Sequence, residues 1–125
     1  MRERFFEAIQ SLKEIICDKN FYSRFSGSRR DALSFLNEEV KSILRKKNIV
    51  AEGYFQDTDT DFLRRFDKDF KPSVQKLLKA LPLLYHASRQ LAVESYYLNK
   101  IRTLEDNLKT LLETIQINRY SKISI

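Results

Sequence analysis

The stretch Leu83–Gln116, LLYHASRQLAVESYYLNKIRTLEDNLKTLLETIQ, decides the fold. It contains no Gly or Pro and consists mostly of residues that favour helix. Leu84, Leu91, Leu98 and Leu112 share one seven-residue register, and Ile101, Leu108 and Ile115 supply companion positions three residues on. Apolar side chains at that spacing lie along one stripe of a helix. The spacing predicts one long amphipathic helix, with Leu98 and Leu108 in the core and shorter helices packed against it.

Composition supports the same class. Two glycines and two prolines in 125 residues are too few for the many turns of a β-protein. The expectation is an all-α fold: a compact bundle of four to five helices with a long C-terminal helix. It forms a single domain over residues 1–125, and the tail from about 118 to 125 is frayed.

Going back to the N-terminus, Phe5, Ile9, Leu12 and Ile16 step by three or four, which predicts a first helix to about Lys19. Cys17 follows two isoleucines and reads as a small core thiol, and a lone cysteine excludes an internal disulfide. The segment NFYSRFSGSRR, Asn20 to Arg30, interrupts the pattern with Gly27. Its arginines stand among Phe21, Tyr22 and Phe25. Two readings stay open: phosphate neutralisation with base stacking, or aromatics that plug the end of the bundle beside solvated arginines.

A second helix runs from about Arg29 to Lys47, with Ser28 and Asp31 spaced as a capping box. Leu33, Leu36, Val40, Ile43 and Leu44 form its stripe, and Lys41, Arg45, Lys46 and Lys47 its basic tail. Such a tail complements the helix dipole or contacts phosphate. Asn48–Thr58 reads as a loop. The Asp57, Asp59, Asp61 spacing resembles a calcium loop but lacks its glycine and its final glutamate, so helix-capping is the better reading. Phe62, Leu63, Phe66 and Phe70 predict a short helix from Thr60 to about Lys71, and Pro72 opens a fourth. Arg64 to Lys79 is the densest positive stretch of the chain. Pro82 either kinks a continuous rod or separates the fourth helix from the long one. Tyr96 and Tyr97 are adjacent, so one points outward.

Sites for chemistry are not indicated: no catalytic residue, no metal ligand set and no cofactor. His86 is the single histidine, and one His with one Cys does not make a zinc site. No Gly-rich phosphate loop or nucleophile elbow is present. The Arg that precedes the His of HEPN ribonucleases by four to six residues is missing, since Ala80–Tyr85 contain none. With no signal peptide and no apolar run of spanning length, the expected location is cytoplasmic.

The formal charge of +6 and pI near 9.5 favour a polyanionic partner. The chain resembles the small subunit of multi-subunit CRISPR effector complexes, of the Cascade-like and type III-like kinds. The resemblance rests on FLRRFDKDF (Phe62–Phe70) followed by LPLLYHASRQ (Leu81–Gln90) in a compact basic helical chain. It implies a non-catalytic, nucleic-acid-binding small subunit of a ribonucleoprotein defence complex, which contacts phosphate backbone without reading sequence. Copies would stack head to tail along a guide–target duplex or displaced strand, beside other protein subunits and away from membranes. By this analogy Arg29, Arg30, Lys41, Arg45, Arg64, Arg65, Lys68, Lys76 and Arg89 are the candidate phosphate contacts. The alternative is a helical protein–protein interaction module: an adaptor, immunity protein or inhibitor.

Overall fold

The computed structural model describes residues 2–49 and 59–123, with side chains for 2–47 and 62–117. The described residues are all-α, in six helices: α1 (Arg2–Ile16), α2 (Lys19–Tyr22), α3 (Gly27–Ile49), α4 (Asp59–Asp69), α5 (Lys71–Gln90) and α6 (Ser95–Ile123). The helix beyond the expected four to five is α2, a single turn in the stretch read as an interruption. Most of the loop expected at Asn48–Thr58 lies outside the described residues, as does part of the Asp57–Asp61 spacing.

The apolar stripes converge as their periodicity demands. Phe5, Ile9, Leu12 and Ile16 of α1 are buried against Leu33, Leu36, Val40 and Ile43 of α3 and against the inner face of α6. At one end Phe5, Phe6, Phe62, Phe66 and Phe70 form a cluster with ring centroids from 5.1 to 6.4 Å apart, mostly edge-on or tilted. In such geometry the positive edge of one ring meets the negative face of another, which adds about 0.5–1.5 kcal/mol per pair to area burial. The ammonium of Lys47 sits 5.1 Å from the Phe6 ring and closes the cluster on the α3 side.

At the other end of α1 the chain turns at Cys17. Asp18 caps α2: its Oδ1 accepts from the Phe21 amide at 3.0 Å and from the Tyr97 hydroxyl at 2.9 Å. The Phe21 amide bond and then the Tyr97 hydroxyl hold its carboxyl below the usual carboxylate range, and the same contact raises the Tyr97 phenol. Phe21 and Phe25 are buried with centroids 4.9 Å apart, and Phe21 packs on Tyr97 at 5.3 Å. These aromatics plug the bundle and are not free to stack on bases. Cys17, expected in the core, is exposed, because α1 ends at Ile16 and the turn carries the thiol outward. Helix α3 begins at Gly27, whose φ of 58° makes the turn. Ser28 is therefore already inside the helix and is not its N-cap.

The largest departure concerns the opening stretch. Leu83–Gln90 is not the start of the long helix; it is the second half of α5, which continues through Pro82. The break falls at Leu91–Glu94. There the Ala92 amide donates to the Arg89 carbonyl at 3.1 Å, and the Val93 amide to the Ser88 carbonyl at 3.0 Å. This is the Schellman pattern, with Ala92 at φ 55° in the position glycine usually takes. An alanine there costs about 1–2 kcal/mol; burial of Val93 and Tyr97 just beyond the turn offsets it. The true inner seam of α6 is Ile101, Leu104, Leu108, Leu111 and Ile115, all buried. Leu98 and Leu112 are half-buried, so the leucine register read as primary is the flank, and its companion positions are the core. Tyr97 points in and Tyr96 out.

Candidate functional site

Helices α3 and α5 lie side by side and antiparallel. Arg29 Nη2 donates to Gln90 Oε1 at 3.0 Å, Lys76 Nζ sits 3.4 Å from Glu39 Oε1, and Lys46 Nζ donates to the Asp69 carbonyl at 2.8 Å. The first two contacts set the register along the pair, and the third joins α3 to the end of α4. The Lys46 contact also satisfies a carbonyl in the last turn of α4.

The inner stripes of the two helices meet in the core, and their outer edges diverge. Between them runs an open groove of about 550 Å³. Its walls are Ala32, Phe35 and Leu36 on one side and Ala80, Leu83 and Ala87 on the other. The lining also takes in Leu84, buried like Leu36, while Phe35 and Leu83 are 50% and 70% exposed. Exposed large apolar groups facing one trough are unusual on a monomer surface and mark a surface suited to a partner. The lining includes Arg29, Lys76 and Lys79 but no carboxylate. From Ser28 to Leu36 and from Lys76 to Ala87 the walls measure about 12 and 17 Å, at a rise of 1.5 Å per residue.

The nine basic residues singled out in the sequence lie on α3, α4 and α5. Arg29 and Lys76 border the groove, the first bonded to Gln90 and the second beside Glu39. Arg30 lies 4.6 Å from the centre of the Tyr22 ring. Lys41 Nζ is 3.8 Å from Glu38 Oε1, a weak exposed pair. Arg65 Nε lies 2.9 Å from Asp69 Oδ2 and is half-buried. Arg45, Arg64, Lys68 and Arg89 are exposed. Arg24 is used inside the fold, with Nη2 at 3.0 Å from Glu94 Oε1. It ties the α2–α3 connection to the residue that precedes α6.

Of the lining residues, the sequence reading singled out only Arg29 and Lys76; Phe35, Lys79 and Leu83 are among those it missed as site residues. A signal existed. Phe35–Leu36 and Leu83–Leu84 are adjacent apolar pairs, and neighbours on a helix are about 100° apart, so one of each pair leaves the core stripe. Ala32 with Phe35, and Ala80 with Leu83 and Ala87, trace a second apolar stripe on each helix.

The other surfaces offer less. A trough of about 710 Å³ between α1 and α6 is lined by Glu7, Ser11, Asn107 and Thr110 among others, and none of the large exposed apolar side chains lies in it. His86 is an exposed residue of α5. Among the described residues no group of three His, Cys, Asp or Glu side chains is placed to hold a metal ion. None of the described helices is long and apolar enough to cross a membrane. No protein-family model matches the chain, and no curated protein or solved structure shows significant similarity to it.

Proposed function

We propose that the protein is a non-catalytic helical interaction module and that the α3/α5 groove receives a helix from a protein partner. The observation that carries this reading is the exposure of Phe35 and Leu83 across one apolar trough. Covering what they still expose contributes roughly 1–2 kcal/mol each. The dimensions suit a helix laid lengthwise: anchors at i, i+3 or i+4 and i+7 span about 10 Å, within the length of both walls.

The test is selection of binders from a displayed library of short amphipathic helices, repeated on the double variant Phe35→Ser, Leu83→Ser. Both side chains are exposed, so the variant keeps the fold, which circular dichroism verifies. Binders that require Phe35 and Leu83 support the reading. A library that yields none, or whose binders ignore the double variant, overturns it.

Phosphate-backbone contact is the second reading, as the sequence resemblance implies for a small subunit of a ribonucleoprotein. Its support is the +6 charge and the exposure of Arg45, Lys68 and Arg89. Binding to labelled DNA and RNA should fall steeply with salt and drop for Lys68→Glu. Absence of binding at low salt removes this reading.

A further inference from the structure

We infer that the helix this groove takes is acidic on both flanks: an amphipathic segment whose apolar anchors are bracketed by carboxylates about three turns apart. The inference rests on the groove reading above and adds the chemistry of the partner.

Of the three cations lining the groove, Lys76 is offset by Glu39. The Arg29 guanidinium bonds to Gln90, a neutral amide that leaves its charge intact. Among the described residues Lys79 has no ion-pair partner. The antiparallel register sets these two uncompensated charges apart. Arg29 lies level with Gln90, and from Lys79 to Gln90 along α5 is about 16 Å, at 1.5 Å per residue. A cation thus stands toward each end of an apolar trough with no acid in its lining. A docked helix meets both charges when its own carboxylates lie about eleven residues apart, one at each end of its anchors.

The same charges argue against a second copy of the chain as the occupant. Two grooves face to face would bring Arg29 and Lys79 of both copies together, on molecules that each carry +6. The exposed face of α5 beside Leu83 carries Lys76 and Lys79, so it presents the wrong sign to another copy's groove. Rim charges of this kind act on the choice of partner and on association rate more than on total affinity.

The experiment is the peptide selection with the flanking positions encoded equally as Glu or Lys. The protein is used whole, as wild type and as Lys79→Glu. The expected result is enrichment of Glu at both flanks on the wild type. For a selected Glu-flanked peptide, Lys79→Glu should weaken binding about threefold to tenfold and raise the preference for Lys at the nearer flank. Added salt should reduce the difference. If groove-dependent binders show no charge preference, or prefer Lys, the acidic partner is refuted while the docking groove stands. If no binder depends on Phe35 and Leu83, both fall. Sedimentation of the wild type and of Leu83→Ser gives an independent check: a dimer lost in the variant makes a second copy the occupant and overturns the inference. An oligonucleotide displaced by Leu83→Ser does the same in favour of nucleic acid.

Discussion

The phenylalanine cluster and the α3/α5 groove are built from the same kinds of residue and end in opposite states. In the cluster, Phe62, Phe66 and Phe70 of α4 and its exit close over Phe5 and Phe6 of α1, and all five rings are buried. In the groove, Phe35 and Leu83 line one open trough together with buried Leu36 and Leu84, and they stay exposed. The difference is the covering element. Helix α4 lies over the first surface, whereas nothing in the described structure lies over the second. Residue type sets how much apolar area a region has to bury; topology decides whether the chain itself buries it.

The comparison can be tested first where the loss is greatest. Phe66→Ala removes a ring packed against three others and should cost about 3–5 kcal/mol in a urea melt. A loss near that of a surface change would mean the cluster is not sealed. Next comes the α6 seam. Leu108→Ala should cost about 2–5 kcal/mol, the range of a buried leucine. Leu98→Ala, half-buried on the flank, should cost less than half as much in the same host; equal losses would restore the leucine register as the core. A gain is expected at the joint that ends the groove. Ala92→Gly relieves a left-handed alanine at the expense of unfolded-chain entropy and should stabilise by about 0.5–1 kcal/mol. A destabilised glycine variant would place the break elsewhere.

Asp18 gives a pH-dependent prediction of smaller size, because it is partly exposed and screened. Its folded pKa is lowered, first by the Phe21 amide and then by the Tyr97 hydroxyl. Its contribution is therefore complete above the ordinary carboxylate value of about 3.9 and is lost as pH falls from there through the lower folded value. Asp18→Asn should flatten stability against pH in that acid window and leave neutral-pH slopes unchanged. The smallest effect belongs to the groove: Leu83→Ser should shift stability by less than about 0.5 kcal/mol. A large loss there would show that the groove is part of the core after all.

Much of the core was legible because burial follows period. The stripes Phe5–Ile9–Leu12–Ile16 and Leu33–Leu36–Val40–Ile43 are inward as read, and so are Phe62, Phe66 and Phe70. The site was legible only in part. Arg29 and Lys76 border the groove, but the sequence points to them for phosphate contact, and Phe35 and Leu83 belong to none of the stripes assigned to the core. A one-dimensional pattern shows that an apolar residue belongs on some face of a helix, not whether a neighbour covers that face.

The sequence by itself determined the helical class, the inward side of most helices and the outward turn of one of the two adjacent tyrosines. Each follows from local propensity and a fixed angular step per residue. Only the tertiary structure decided where the long apolar stretch breaks, that Cys17 faces solvent and that one trough stays open. Ala92 adopts an unfavourable backbone because the buried Val93 and Tyr97 beyond it gain more than the turn costs. That balance depends on surfaces brought together from distant parts of the chain, and such energies are not written in any local run of residues.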